Sequence, residues 1–174
     1  LNLGIRRRLS SLLDNDRRKI ELANSLLFTL PGSPIIYYGD EIGMGDNLDL
    51  FDRNGVRTPM QWDASPNAGF TTGKPFTEFV KGDGSYEHVN VASQMADQDS
   101  LFHSISRMVN IRKQHHAFGR GTMEWVETDN PSFAVYTRTY QDETLLIINN
   151  LSGSSQAISL PAEHHAEYVD LISN

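Results

Sequence analysis

Leu30-Pro31-Gly32-Ser33-Pro34-Ile35-Ile36-Tyr37-Tyr38-Gly39 is the stretch on which the fold turns. Pro31-Gly32 ends any helix that precedes it. Pro34 to Tyr38 is a short apolar run bounded by Pro and Gly, the pattern of a strand buried on both faces. Upstream, Ile20, Ala23, Leu27 and Leu30 recur at helical spacing, and Leu26 and Phe28 widen the stripe. A helix is therefore expected from about Asp16 to Leu30, with Asp14, Asn15 and Asp16 offering capping oxygens at its start. Helix, short break and buried strand make one αβ step of a parallel sheet.

Downstream, the text from Gly39 to about Ser93 reads as loop, rich in Gly, Pro, Asp and Asn. A loop of that length inside a compact domain is usually functional. A second helix is expected from about Asp99 to His116, with Leu101, Ile105, Met108, Val109 and Ile111 on its apolar side and Phe118-Gly119 at its end. The period then changes to two. Five strands are expected: Met123–Glu127, Phe133–Arg138, Thr144–Asn149, Gln156–Leu160 and Tyr168–Ile172. The expected fold class is α/β followed by all-β, the antiparallel and sandwich-like part beginning at Phe118.

The 174 residues suit one soluble globular unit or two small ones. A net charge of -7 repels a phosphate backbone, which argues against nucleic acid as a partner; a neutral sugar meets no such obstacle. Cysteine is absent, and nothing argues for an oxidising compartment. No apolar run approaches the roughly 20 residues of a membrane helix, so no membrane partner is expected. Leu1-Asn2-Leu3-Gly4-Ile5-Arg6-Arg7-Arg8 lacks both Met and the order of a signal peptide, and reads as an internal segment of a longer protein. Asn150-Leu151-Ser152 matches a glycosylation triplet that is frequent by chance.

Four segments carry a resemblance: Gly4 to Arg18, Leu30 to Asn47, Asp52 to Trp62 (DRNGVRTPMQW) and Ile148 to Ser152. The third resembles the RTPMQW block of exo-acting enzymes of glycoside hydrolase family 13, and the first and last are similar to the trehalose synthase branch of that family. The resemblance implies the last part of a (β/α)8 barrel over residues 1–117, with Pro34 to Tyr38 as strand 8 and the helix from Asp99 as the final barrel helix. An antiparallel C-terminal β domain over residues 118–174 would follow. The long loop would then leave the face where such barrels build their active sites.

The family's chemistry is retaining. An Asp attacks the anomeric carbon, a Glu protonates the leaving oxygen, and a further Asp holds the sugar hydroxyls. The trehalose synthase branch converts maltose to trehalose through a glucosyl-enzyme intermediate. The Asn-His-Asp-Glu motif of the third carboxylate is absent here, so no catalytic residue is assigned to this chain, and alone it is expected to be inactive. Its expected partners are maltose, trehalose or related α-glucosides and the N-terminal part of the barrel. Any calcium of the parent is placed upstream, with no cofactor in this chain. The rival readings are part of an α-glucosidase or oligo-1,6-glucosidase, and a non-catalytic C-terminal module. The segment Gly4 to Arg18, with the short link from Gly45 to Arg53, favours the isomerase, because the hydrolases usually carry a longer insertion between the eighth strand and the RTPMQW block.

Arg53 is the substrate-binding candidate. In the exo-acting relatives the Arg four positions before the RTPMQW arginine pairs with an early-loop Asp and clamps the terminal glucose, a task suited to a planar fork; the plainer alternative is an exposed arginine in an Asp-rich turn. Arg57 is expected in a structural salt bridge and Trp62 in the core. Asp40 and Glu41 are adjacent, so their carboxyls need not face one bond, and Glu41 is expected to bind loop backbone. Asp46, Asn47, Asp49, Asp52 and Asn54 depart from the calcium-loop pattern and read as a solvated loop. His115-His116 and His164-His165 lack the spacing of metal ligands and are expected at the surface. Arg6-Arg7-Arg8 reads as a solvated start to the segment.

Overall fold

The computed structural model describes residues 6–172. Leu1 to Ile5, on which the reading of the start rests, lie outside the described residues, as do Ser173 and Asn174. The chain divides into two compact units, Leu1–Glu21 with Ile35–Ser106, and Leu22–Pro34 with Arg107–Asn174.

The helices form where the apolar spacing places them. A short α1 (Leu9–Leu12) is followed by α2 (Arg17–Thr29). Asp16 Oδ1 accepts from the N–H groups of Arg18 at 3.0 Å and Lys19 at 3.3 Å, which satisfies donors that a helix start leaves free. Ile20, Asn24 and Phe28, at i, i+4 and i+8, are the buried residues of α2. The inward stripe is thus rotated from the expected one, and Leu27 is exposed. A third helix, α3 (Val91–Ala96), lies in what reads as loop; Asn90 Oδ1 caps it by accepting from Ser93 N–H at 2.8 Å. α4 (Leu101–Gln114) has Leu101, Ser104 and Ile105 buried in its first turns.

In the first unit, Ile42, Met44, Met60 and Val80 form a core with Val89, Val91 and Phe102 packed against it. Pro34 to Tyr38 is not a strand. No described segment pairs with it, and Ile35 is 84% exposed. A run of this kind is stable as a strand only when neighbours supply both the ladder and the cover.

In the second unit, α5 (Ala117–Arg120) precedes an antiparallel sheet in the order β1 (Thr122–Trp125), β2 (Phe133–Tyr140), β3 (Glu143–Asn150). Trp125 stands opposite Tyr136 in one pair and Tyr140 opposite Glu143 in the other. Gln141, at φ 56, makes the left-handed turn that a two-residue hairpin needs. Phe118, Tyr136 and Ile147 are the core, with Leu30, Ile111, Met123 and Leu145 against it.

The sheet has three strands among the described residues, against five expected. Gln156–Leu160 and Tyr168–Ile172 form no ladder. Side-chain bonds take its place in the first: Asp129 Oδ1 accepts from Ser159 N–H at 2.9 Å, and Asn130 Nδ2 donates to Gln156 Oε1 at 2.7 Å. Such local bonds satisfy backbone groups that would otherwise pair across strands.

Candidate substrate-binding loop

The loop begins at Gly39, whose φ of +88 turns the chain sharply; a Cβ there would lie 2.7 Å from Met44 Sδ, so only glycine fits. Its N–H donates to Glu41 Oε2 at 2.7 Å. Glu41 therefore holds loop backbone, as its position suggested. Asp40 Oδ1 accepts from Arg8 Nη1 at 3.1 Å. Burial pushes the Asp40 carboxyl above the usual range, and the Arg8 charge opposes that shift.

The oxygen-rich stretch is only in part the solvated loop expected: Asp49 and Asn54 are exposed, whereas Asp46 and Asn47 are not. The Asp46 side chain is only 5% exposed and accepts from Arg7 Nε at 3.0 Å and Arg8 N–H at 3.1 Å. Asn47 is buried: its side chain donates to Phe79 O at 2.9 Å, and its N–H donates to Gly55 O at 2.9 Å. Gly55 is required by that approach, since a Cβ there would lie 2.4 Å from Asn47 O. Asp49 does remain in solvent, 3.1 Å from Lys81 Nζ. No group of three or more His, Cys, Asp or Glu among the described residues is placed to hold a metal ion.

Arg53 lies on the 3-10 turn Asp52–Val56, half-exposed, with Nε 3.3 Å from Asp52 Oδ2. Arg57 follows at the end of that turn. Among the described residues it forms no ion pair, so the structural salt bridge expected of it is absent. It is exposed, and borders a hollow of about 360 Å³ with Tyr38, Glu41, Trp62, Phe70 and Phe76. Trp62 is 49% exposed rather than core. Its neighbours have taken the interior: Thr58, Met60 and Gln61 are buried, and Gln61 Nε2 donates to Gly84 O at 3.1 Å and also to Val89 O. Gln61 escaped the sequence reading because nothing local marks an amide as buried.

Arg6-Arg7-Arg8 is the largest correction. Arg8 is 3% exposed, not solvated, and each of the three side chains reaches the loop. A run of arginines in an acidic chain is the signal that could have indicated buried acceptors. His115 is half-buried and bonds Glu143 through Nδ1, while His116 is exposed. The hydrogen bond from His115 holds the Glu143 carboxyl below the usual range. His164 and His165 are near or at the surface.

Residues 6–121 match the α-amylase catalytic domain family, and residues 123–174 match the C-terminal domain of maltogenic amylase. The chain belongs to the α-amylase family. It is 47% identical over 170 residues to the trehalose synthase of Pimelobacter sp. strain R48, covering 91% of this chain and 29% of that protein. It is 46% identical over 168 residues to the trehalose synthase of Thermus thermophilus, covering 94% of this chain and 17% of that protein. The trehalulose synthase MutB, solved as an inactive double mutant with isomaltulose, superposes with a TM-score of 0.76 at 27% identity, over 91% of this chain and 35% of that one. The α-amylase relationship gives the fold class: the last part of a (β/α)8 barrel and then an antiparallel C-terminal β domain. The chain spans less than a third of the first relative's length. Among the described residues no helix is long and apolar enough to cross a membrane.

Proposed function

We propose that this chain is part of a retaining α-glucosyl isomerase that converts maltose to trehalose through a glucosyl-enzyme intermediate. Residues 1–117 would belong to its barrel and residues 118–174 to its C-terminal domain, in a bacterial cytoplasm. The similarity to trehalose synthases supports the substrate class. The observation that carries the chain's own part is a division of labour in the loop. Asp40, Glu41 and Asp46 are engaged by Arg8, Gly39 and Arg7, while Arg53, Arg57 and the rings of Trp62, Phe70 and Phe76 remain exposed. Guanidinium forks and aromatic faces bind a neutral, hydroxyl-rich ring; they do not supply a nucleophile and an acid.

On this reading Arg53 holds the non-reducing glucose together with a carboxylate contributed from outside this chain, and the catalytic carboxylates are also supplied from outside it. Incubating the complete protein with maltose and separating the products by chromatography tests the proposal. Trehalose as the main product supports it, whereas glucose alone would make the protein a hydrolase. The 174-residue chain by itself is expected to give neither, and turnover that co-purifies with it would refute the assignment of catalysis elsewhere.

A further inference from the structure

Arg6, Arg7 and Arg8 direct three consecutive side chains into one loop. Arg6 Nη2 donates to Leu48 O at 3.1 Å and Leu50 O at 3.5 Å, and Arg7 Nε pairs with Asp46 Oδ2 at 3.0 Å. Arg8 reaches both limbs of the loop at once. Its Nη1 donates to Tyr38 O at 2.7 Å and Asp40 Oδ1 at 3.1 Å, and its Nη2 donates to Val56 O at 3.0 Å. The guanidinium lies 5.1 Å and 5.0 Å from the ring centroids of Tyr37 and Tyr38, within the range of a cation–π contact. One rigid fork thus joins the outgoing limb at residues 38–40 to the turn that carries Arg53. The bond from Asn47 N–H to Gly55 O closes the same turn from within.

A guanidinium is expensive to bury, and only one of its partners here is charged. The aliphatic cluster of Ile42, Met44, Met60 and Val80 already supplies an apolar core for this unit. What Arg8 adds is a fixed separation between two backbone segments, which a single ammonium point charge could not span.

We propose that Arg8 is a positioning residue: by bridging Tyr38 O and Asp40 to Val56 O it fixes the Asp52–Val56 turn and so places the Arg53 guanidinium for sugar binding. The sugar-binding half of this statement rests on the functional reading above, whereas the bracing half does not. Without Arg8, the carbonyls of Tyr38 and Val56 lose a donor and Asp40 loses its counter-charge, so the loop opens locally. Opening weakens binding of ground state and transition state alike, which appears in KM more than in kcat.

The test uses the complete protein that carries this chain, with Arg8→Met, Arg8→Lys and the exposed control Arg18→Met. Amide hydrogen exchange is followed for residues 38–57 and for 133–150, and maltose kinetics are measured on the same preparations. The amides of Met44, Asn47, Asn54 and Arg57 are hydrogen-bonded within the loop and report its opening. In Arg8→Met, exchange over 38–57 should accelerate by about tenfold or more with 133–150 unchanged, because only the braced segment is released. Arg8→Lys should restore protection near Asp40 but leave 52–57 fast, since one ammonium cannot serve both limbs. KM for maltose should rise about tenfold in Arg8→Met while kcat changes less than about threefold.

Normal exchange over 38–57 in Arg8→Met, or full rescue by Lys, would overturn the proposal. So would a fast loop with unchanged KM, or loss of protection throughout the protein in both variants. If the unsubstituted protein turns over no maltose, the functional reading fails separately, and the exchange measurement still decides whether Arg8 braces the turn.

Discussion

Arg53 and Arg57 stand four residues apart on one turn and meet different surroundings. Arg53 is half-exposed beside Asp52, and its proposed second carboxylate comes from outside the chain. Removing one member of such a charge pair costs on the order of 2–5 kcal/mol. Arg53→Ala in the complete protein should therefore lower kcat/KM for maltose by roughly 30- to 5,000-fold. Arg53→Lys should recover little of that, because an ammonium cannot present the same fork. Arg57 has no ion pair to lose among the described residues, so Arg57→Ala should change stability by no more than about 0.5 kcal/mol. Calorimetry and steady-state kinetics on both variants separate these outcomes; near-normal kinetics for Arg53→Ala would remove it from the site. Glu143 gives a pH-dependent case. Its pKa is lowered by the hydrogen bond from His115, so the stability it contributes is complete above the unfolded-state value and is lost as pH falls through the lower folded-state value. Because the pair is partly solvated, Glu143→Gln should cost about 1 kcal/mol or less at pH 7. Urea midpoints of the two proteins should converge well below pH 4, and a difference that persists there would assign the effect to packing.

At the scale of elements, the end of α2 is secured by two arginines. Leu26 O accepts from Leu30 N–H at 3.0 Å, Phe28 O accepts from Arg112, and Thr29 O accepts from Arg138 Nη1 at 2.6 Å. Phe28 O and Thr29 O are among the carbonyls that a helix C-terminus leaves without an internal partner, and a positive charge there also favours the helix dipole. Arg138, on β2 and 2% exposed, also donates to Thr122 O, Phe118 O and Gly121 O. Burial lowers its pKa, but four carbonyls around it compensate for the lost water. One side chain thereby ties α2, α5 and β1 to the central strand. Arg138→Met should destabilise the second unit by about 2–4 kcal/mol, because several acceptors lose their donor together. Arg138→Lys should recover less than half of that loss. Urea unfolding followed by circular dichroism measures both, and a loss under about 1 kcal/mol for Arg138→Met would show that water replaces the fork without difficulty.

The whole molecule presents apolar side chains that its own fold does not cover. Ile35, Tyr37, Phe51, Trp62 and Phe76 are all exposed in the first unit. Ile20, on the apolar stripe of α2, is buried. Exposed apolar surface of this kind drives association. The 174-residue chain on its own should therefore sediment as oligomers and bind a hydrophobic dye. A monomer that melts cooperatively and binds no dye would show that the exposed residues cause no association. The complete protein should show neither behaviour if its other parts cover these residues.

The sequence by itself determined the elements whose signals are local. α2 follows from its apolar spacing and the Asp16 cap, α4 from its apolar stripe, and β1 to β3 from alternation between turn residues, because each depends on neighbours a few positions away. Glu41 was legible for the same reason, its partner being Gly39. Tertiary structure alone decided the rest. Pro34 to Tyr38 and Gln156 to Leu160 carry strand-like patterns, but a strand exists only where another segment supplies its ladder. Trp62 faces outward because Thr58, Met60 and Gln61 occupy the interior. The burial of Arg8 was hidden because its acceptors lie 30 to 48 residues away, and a guanidinium in sequence looks the same whether water or a carbonyl satisfies it.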